Sequence, residues 1–314
     1  MKEIRGDEYA GIDHRRAVRR LRKKIGAAKG QIARGLCSLT ALSRYEQGER
    51  EPGKFLAEAL LSRLGAETQQ MDFITDANEF ELSMMRREIQ KALENHKGEV
   101  VEKILRDYKA LIKRDKNLHH AYIDFLRGQN QIIVRNWEKG EILLKRALCY
   151  TDLEEYEQVL EQGFLSGQEL YTLYCLGEVY MGERRKEEGW KLFNLLKQYL
   201  DKRETSYTVK GLLYPKLLLW LAKRALEEGN WGSACKAAEE ARKLLLKYYA
   251  MDGLEEALEI LNQSEEKLGI LDYAVKLERE KQIFALKLSE VDISEDIEAI
   301  NREVEEWPNI ARDL

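Results

Sequence analysis

Residues 37–54, CSLTALSRYEQGEREPGK, gather the side chains best suited to touching another molecule. Leu39, Thr40, Ser43 and Arg44 supply an apolar group, two hydroxyls and a guanidinium within six positions. Such groups suit contact with the edges of nucleic-acid bases. Helical spacing places Leu42 and Tyr45 on one face and leaves these four on the opposite one. Ser38 is a good N-cap, with an oxygen that accepts a first-turn N–H, and Gly48 stands where a helix stops and turns. The stretch reads as the recognition helix of a helix-turn-helix and the loop that leaves it. A surface helix of any soluble enzyme could carry the same pattern, so its neighbours decide the matter.

Charge is the first neighbour. Residues 13–54 hold 12 Lys/Arg against 4 Asp/Glu, a net of +8, while the whole chain is at −4. A basic head on an acidic body is the electrostatic footprint of a head that meets a polyanion. RRAVRRLRKK would also serve as a solvated surface helix, but here it adjoins the outward face just described.

The elements that must position that face follow from periodicity and stop signals. A first helix is expected over 14–25, with Val18, Leu21 and Ile25 inward and Gly26 ending it. A second, over 28–36, buries Ile32, Ala33 and Leu36. After the third comes Pro52 and a fourth over 53–64, with Leu56, Leu60 and Leu64 inward and Gly65 as its stop.

Four short helices with these breaks resemble the XRE/Cro type of helix-turn-helix domain. The words IARGLCSLTALSRYEQGEREP carry the resemblance, through Ala33, Gly35, Cys37, Ser38, Leu42, Ser43, Glu46, Gly48, Arg50 and Pro52. It implies that Glu46 pairs with Arg22 as internal architecture. It also implies that Leu39, Thr40 and Arg44 read the major groove of double-stranded DNA, with Ser43 close behind. The chemistry agrees: Arg44 can grip guanine O6 and N7, Thr40 can bond either base, and Leu39 can touch a thymine methyl. Phosphate grips are expected from Arg15, Arg19, Lys29, Gln47, Arg50 and Lys54, which position without reading sequence. Two positions depart from the pattern. Ala28-Lys29 replaces the usual Ser-Gln, and Leu39 stands where many relatives carry Gln.

Beyond Gly65, residues 66–80 read as a short fifth helix and a connector, and the chain then looks helical nearly to its end. Helix pairs that cannot bury both faces alone must stack, so a repeat is expected. Residues 173–196 place Leu176, Gly177 and Tyr180, then Gly189, Phe193 and Leu196, where a tetratricopeptide repeat wants them. Residues 218–241 repeat the pattern around GNWGSA, and weaker units centre on 122–147 and 84–108. The anchors Val100, Gly140, Gly189 and Ala234 are 40, 49 and 45 residues apart. That exceeds the 34-residue repeat, so the helices must be longer. Residues 254–307 read as two or three further helices, a cap or a dimer surface. The face lining a tetratricopeptide groove projects from the anchors onto Tyr122, Phe125, Gln129, Ile132, Tyr171, Tyr174, Glu178, Met181, Lys216 and Lys223. Aromatic floors with a few polar groups suit an extended peptide. The same spacing also serves plain packing.

The fold expected is therefore all-α: a helix-turn-helix domain over 1–73 and a tetratricopeptide-like array over 74–314. A head of this type joined to such an array resembles the RRNPP regulators, the Rgg and PlcR kind. That resemblance implies a cytoplasmic homodimer that binds DNA and is controlled by a short signalling peptide held in the array. A helical scaffold for a partner protein, or a regulator that senses nothing, is the alternative reading. No Gly-rich phosphate loop, nucleophile elbow or metal-ligand spacing points to an enzyme, a cofactor or a metal site. Four dispersed cysteines, without a C-x-x-C, read as reduced and mostly buried thiols. No secretory signal is read at 1–16. The longest apolar run, 212–222, carries Pro215 and Lys216 and is too short to span a bilayer.

Overall fold

The computed structural model describes residues 14–66, 77–94, 97–112, 117–203, 205–248, 250 and 252–268. Contacts divide the chain into two compact units, one running to Val209 and one beginning at Lys210. Every regular element among the described residues is helical, and none is a strand. The all-α expectation is met.

Four helices open the first unit: α1 (His14–Lys24), α2 (Lys29–Ala33), α3 (Leu39–Gln47) and α4 (Lys54–Arg63). They close on a core of Ala17, Val18, Leu21, Ile32, Ala33, Leu42, Tyr45, Leu60, Leu61 and Leu64. Ile32, Leu42 and Leu60 are wholly buried, and each such side chain contributes roughly 1.5–3 kcal/mol relative to exposure. Ile25, expected inward, is 42% exposed. The helix ends at Lys24 and the left-handed Gly26 (φ 69°) turns the chain before Ile25 can reach the core. The second helix is also shorter than expected. Arg34 leaves the helical region, and Gly35 takes φ 62° to start the turn.

The expected caps hold α3 in place. Ala41 N–H donates to Ser38 Oγ at 3.1 Å, and Gly48 sits at φ 79°. Gly48 N–H then bonds Tyr45 O, and Glu49 N–H bonds Arg44 O. These bonds satisfy carbonyls that a helix end leaves open. Ala28 has no side-chain cap to offer; its own N–H instead donates to Gln31 Oε1 at 2.9 Å.

Long helices follow: α5 (Ala77–Glu94), α6 (Gly98–Leu111), α7 (Asn117–Ile133), α8 (Trp137–Cys149), the short α9 (Tyr156–Gln162), α10 (Gly167–Gly182) and α11 (Lys186–Lys202). The pairs α5/α6, α7/α8 and α10/α11 pack as hairpins, and α10 also rests on α7 and α8. They coincide with the units expected at 84–108, 122–147 and 173–196. Small residues permit the close fit. A Cβ on Gly177 would lie 2.3 Å from the Phe193 ring, and one on Gly128 would lie 2.8 Å from Leu144.

The second unit holds α12 (Tyr214–Glu227), α13 (Trp231–Lys247) and α14 (Leu254–Leu268), with α13 packed between the other two. A π-helical turn, Val209–Leu213, leads into α12. Pro215 stands in the first turn of α12, where its missing N–H costs nothing. Asn230 caps α13 by accepting from Ser233 N–H at 3.2 Å.

One turn geometry recurs through both units. Arg135 (φ 58°), Arg184 (φ 63°) and Gly229 (φ 73°) are left-handed at the ends of α7, α10 and α12. In each case the next residue's N–H returns to a carbonyl five residues back: Asn136 to Gln131, Arg185 to Tyr180 and Asn230 to Ala225. That is a structural repeat independent of side-chain identity. The last expected helices, beyond Leu268, lie outside the described residues, as do 67–76 of the expected fifth helix.

Among the four cysteines only Cys175 is buried; Cys37 and Cys235 are half-buried and Cys149 is exposed, so the thiols are less sheltered than expected. Among the described residues no helix is long and apolar enough to cross a membrane.

Candidate nucleic-acid interface and helical groove

Arg22 and Glu46 set the angle between α1 and α3. The guanidinium donates from Nε to Glu46 Oε1 at 2.5 Å and from Nη2 to Oε2 at 3.1 Å, and from Nη1 to Ala27 O at 2.9 Å. Glu46 is only 3% exposed. Burial pushes its carboxyl up, but the bonds and charge of Arg22, with Lys29 behind, hold it below the usual range. The same pair raises Arg22. This is the internal tie that the resemblance implied.

With α3 so fixed, Leu39, Thr40 and Arg44 stand exposed, Leu39 at 56%. An apolar group, a hydroxyl and a guanidinium thus lie together on the outer face of α3. Ser43 is half-buried, and its Oγ accepts from Lys29 Nζ at 2.9 Å. Lys29 also lies 3.4 Å from Glu46, so both residues of this pair are engaged within the head.

The phosphate set divides. Arg19, Gln47 and Arg50 are exposed around the α3 face. Arg15 lies in α1, with its side chain outside the described ones. Lys54 needs correction. It is 3% exposed and bonded to Glu58 at 2.9 Å, one turn along α4. A buried, paired ammonium cannot reach a phosphate from there.

The groove residues divide as well. Phe125 and Tyr174 belong to the core, at 8% and 6% exposure, and Tyr174 stacks on Phe193. Tyr122 packs edge-on against Phe55 of α4 and beside Tyr108, and burial pushes its hydroxyl pKa well up. It contacts the head rather than an open groove. Gln129, Ile132, Tyr171, Glu178 and Met181 remain half-buried on the neighbouring helices α7 and α10. In the second unit, Lys216 pairs with Asp252 at 2.6 Å and Lys223 with Glu256 at 2.8 Å. Lys223 also lies 5.4 Å over the Trp220 ring.

The residues that join the head to the long helices were missed by the sequence reading. Arg63 of α4 has no exposed side-chain surface and bonds both oxygens of Glu169 in α10, at 2.6 and 3.1 Å. Phe55 lies edge-on to His119 at 4.9 Å. A cavity of about 450 Å³ lies beside the second of these contacts, lined by Phe55 and His119 together with Gly35, Tyr45, Arg50 and Asp152. The S-x-x-E word at 166–169 was a legible capping box. Its second use, as a partner for Arg63, has no local signal.

Among the described residues no group of three or more His, Cys, Asp or Glu is placed to hold a metal ion. Searches of protein-family models and of curated proteins return no match. A solved structure, PlcR of Bacillus thuringiensis in complex with the peptide PapR7 and DNA, is similar over 93% of this chain and 98% of that one. The TM-score is 0.53 at 11% identity. The chain therefore shares the PlcR fold.

Proposed function

We propose that this protein is a sequence-specific DNA-binding regulator, dimeric and cytoplasmic, controlled by a short peptide held by its long helices. The observation that carries the reading is the shared fold with PlcR along nearly the whole chain. The exposed triad Leu39, Thr40 and Arg44, held out by the Arg22–Glu46 tie, supports its DNA half. Residues 1–73 would form an XRE-type head and 74–314 a tetratricopeptide-like array for peptide and partner subunit. Leu39, Thr40 and Arg44 would read bases, and Arg19, Gln47 and Arg50 would grip phosphates, joined by Arg15. Ser43 and Lys29 would act through each other at the edge of that surface. Gln129, Ile132, Tyr171, Glu178 and Met181 are the peptide contacts the first unit can offer, with Lys216 and Lys223 those of the second. No catalytic role is assigned to any residue.

Selection of bound duplexes from a random DNA pool tests the reading. Arg44→Ala should relax base preference at one position per half-site and weaken binding by about 1–3 kcal/mol. Arg19→Ala should weaken all sequences alike. With about 6–10 phosphate contacts per dimer, affinity should fall about 10³–10⁵-fold between about 50 and about 200 mM salt. Wild-type behaviour of both variants across the pool, with affinity flat in salt, would remove the DNA reading and leave a helical scaffold.

A further inference from the structure

We infer that Glu169 couples the helix α10 to the head, so that any displacement of α10 moves the recognition helix with it. The inference rests on the reading above for its biological meaning, and on the following geometry for its mechanics.

Arg63 is the hub. It ends α4, and its Nη1 donates to the carbonyls of Ile32 (2.9 Å) and Arg34 (2.6 Å), where α2 ends. Its Nε and Nη2 take the two oxygens of Glu169, a bidentate pair sealed from water. Arg34 Nη2 approaches the same carboxylate at 3.5 Å. Glu169 in turn closes the capping box of α10, accepting from Ser166 N–H at 2.8 Å and from Ser166 Oγ at 2.9 Å. One carboxylate thus fixes the start of α10 and binds the end of α4. Gly167 N–H adds a bond to Ser62 Oγ at 2.8 Å. Beside them Gly35, in the turn just before α3, lies so close to Thr151 that a Cβ would meet its backbone at 2.1 Å.

Burial pushes Glu169 up, but Arg63, the Ser166 N–H and Arg34 outweigh it and keep the carboxyl below the usual range. The pair is therefore ionised at neutral pH. Pulling α10 away from α4 would leave a guanidinium and a carboxylate buried without each other, which is strongly unfavourable. A tilt of α10 is easier to accommodate by carrying α2, α3 and α4 along. The same helix bears Tyr171, Glu178 and Met181 on its half-buried surface. It spans roughly 24 Å at 1.5 Å per residue. A ligand at its far end would then bias the head without touching it, and DNA on the head must reciprocally bias α10.

The experiment is amide hydrogen exchange on the full chain, wild type against Glu169→Gln. Glutamine keeps the capping-box geometry but removes the charge that holds Arg63. In the free protein, amides of α2 and α4 should exchange about tenfold faster in the variant, with those of α12–α14 unchanged. Head exchange equal to wild type would overturn the lock. The second arm adds the tightest duplex from the random pool. In wild type, DNA should alter exchange in the last two turns of α10; in Glu169→Gln that response should vanish while DNA still binds. A response that persists in the variant would overturn the coupling, since a merely structural role predicts no change in it. DNA that binds neither protein would remove the proposed function, while the free-protein arm still decides the lock. If Glu169→Gln fails to fold, Ser62→Ala removes only the bond from Gly167 and should speed the same amides about fivefold; no change would count against the lock.

Discussion

The head and the helix pairs of the first unit both combine apolar packing with ion pairs, such as Arg146 to Asp124 between α8 and α7, but their closest contacts differ in kind. In the head, polar ties between named residues fix the geometry: Arg22 to Glu46, Ser38 to Ala41, and the left-handed turn at Gly48. In α7/α8 and α10/α11, glycines on one helix admit large side chains from the other, Gly128 beneath Leu144 and Gly177 beneath Phe193. A polar tie needs particular partners and fails when one is removed. An apolar fit tolerates many residues of suitable volume. The polar ties of the head are therefore sensitive to identity and the glycine contacts of the pairs to size, and the Arg22 and glycine predictions below press on that difference.

The largest effect is expected from Arg22→Ala. It leaves Glu46 buried with only Lys29 nearby, and should destabilise the head by about 3 kcal/mol in chemical denaturation. The loss has a pH signature. Glu46 is depressed in the fold, so the pair contributes fully above the ordinary carboxylate range and its contribution disappears as acid protonates the folded carboxyl. Wild type and variant should therefore converge in acid. A gap that stayed constant down to acid pH would mean that the tie is not ionic.

Next come two glycine substitutions that set the regions side by side. Gly35→Ala adds a Cβ at positive φ against the Thr151 backbone, which cannot yield, and should cost about 2–3 kcal/mol. Gly177→Ala meets only the Phe193 ring, and its helix gains about 1 kcal/mol of propensity, so the net cost should be about 1 kcal/mol. Thermal unfolding orders the two. Equal costs would erase the distinction between backbone seating and side-chain fit.

The smallest effect lies in the second unit. Glu265 is buried between α13 and α14, its Oε2 has no hydrogen-bond partner, and burial and nearby Glu239 push its carboxyl up to about 7. A raised carboxyl stabilises the fold fully in acid and loses that contribution as pH climbs towards the folded pKa. Glu265→Gln should therefore gain about 1 kcal/mol over wild type at pH 8 and little at pH 5. A gain equal at both values would point to packing rather than charge.

The contrast also explains what could be read beforehand. The N-cap at Ser38 was legible from its residue type and place, whereas the Arg22–Glu46 tie, 24 residues apart, was expected only through the family resemblance. Ile25 misled because a left-handed glycine one residue later ended the helix before the apolar period was complete. Phe125 and Tyr174 misled because an aromatic at helical spacing looks the same whether it lines a groove or a core. Lys54 misled because it was placed among the phosphate grips by resemblance, and residue type alone does not show that it is buried and paired with Glu58.

By itself the sequence determined the four-helix head, the outward placement of Leu39, Thr40 and Arg44, and the hairpin pairs at 84–108, 122–147, 173–196 and 218–241. Each rests on caps, stops and apolar periods that act within a few turns of the chain. Only the tertiary structure decided that Arg63 meets Glu169 across 106 residues of chain, that Gly35 seats on Thr151, and which aromatics are buried. A buried ion pair between distant positions leaves no local periodicity. Its partners are chosen by which helices come to lie together, and that is settled only when the whole core closes.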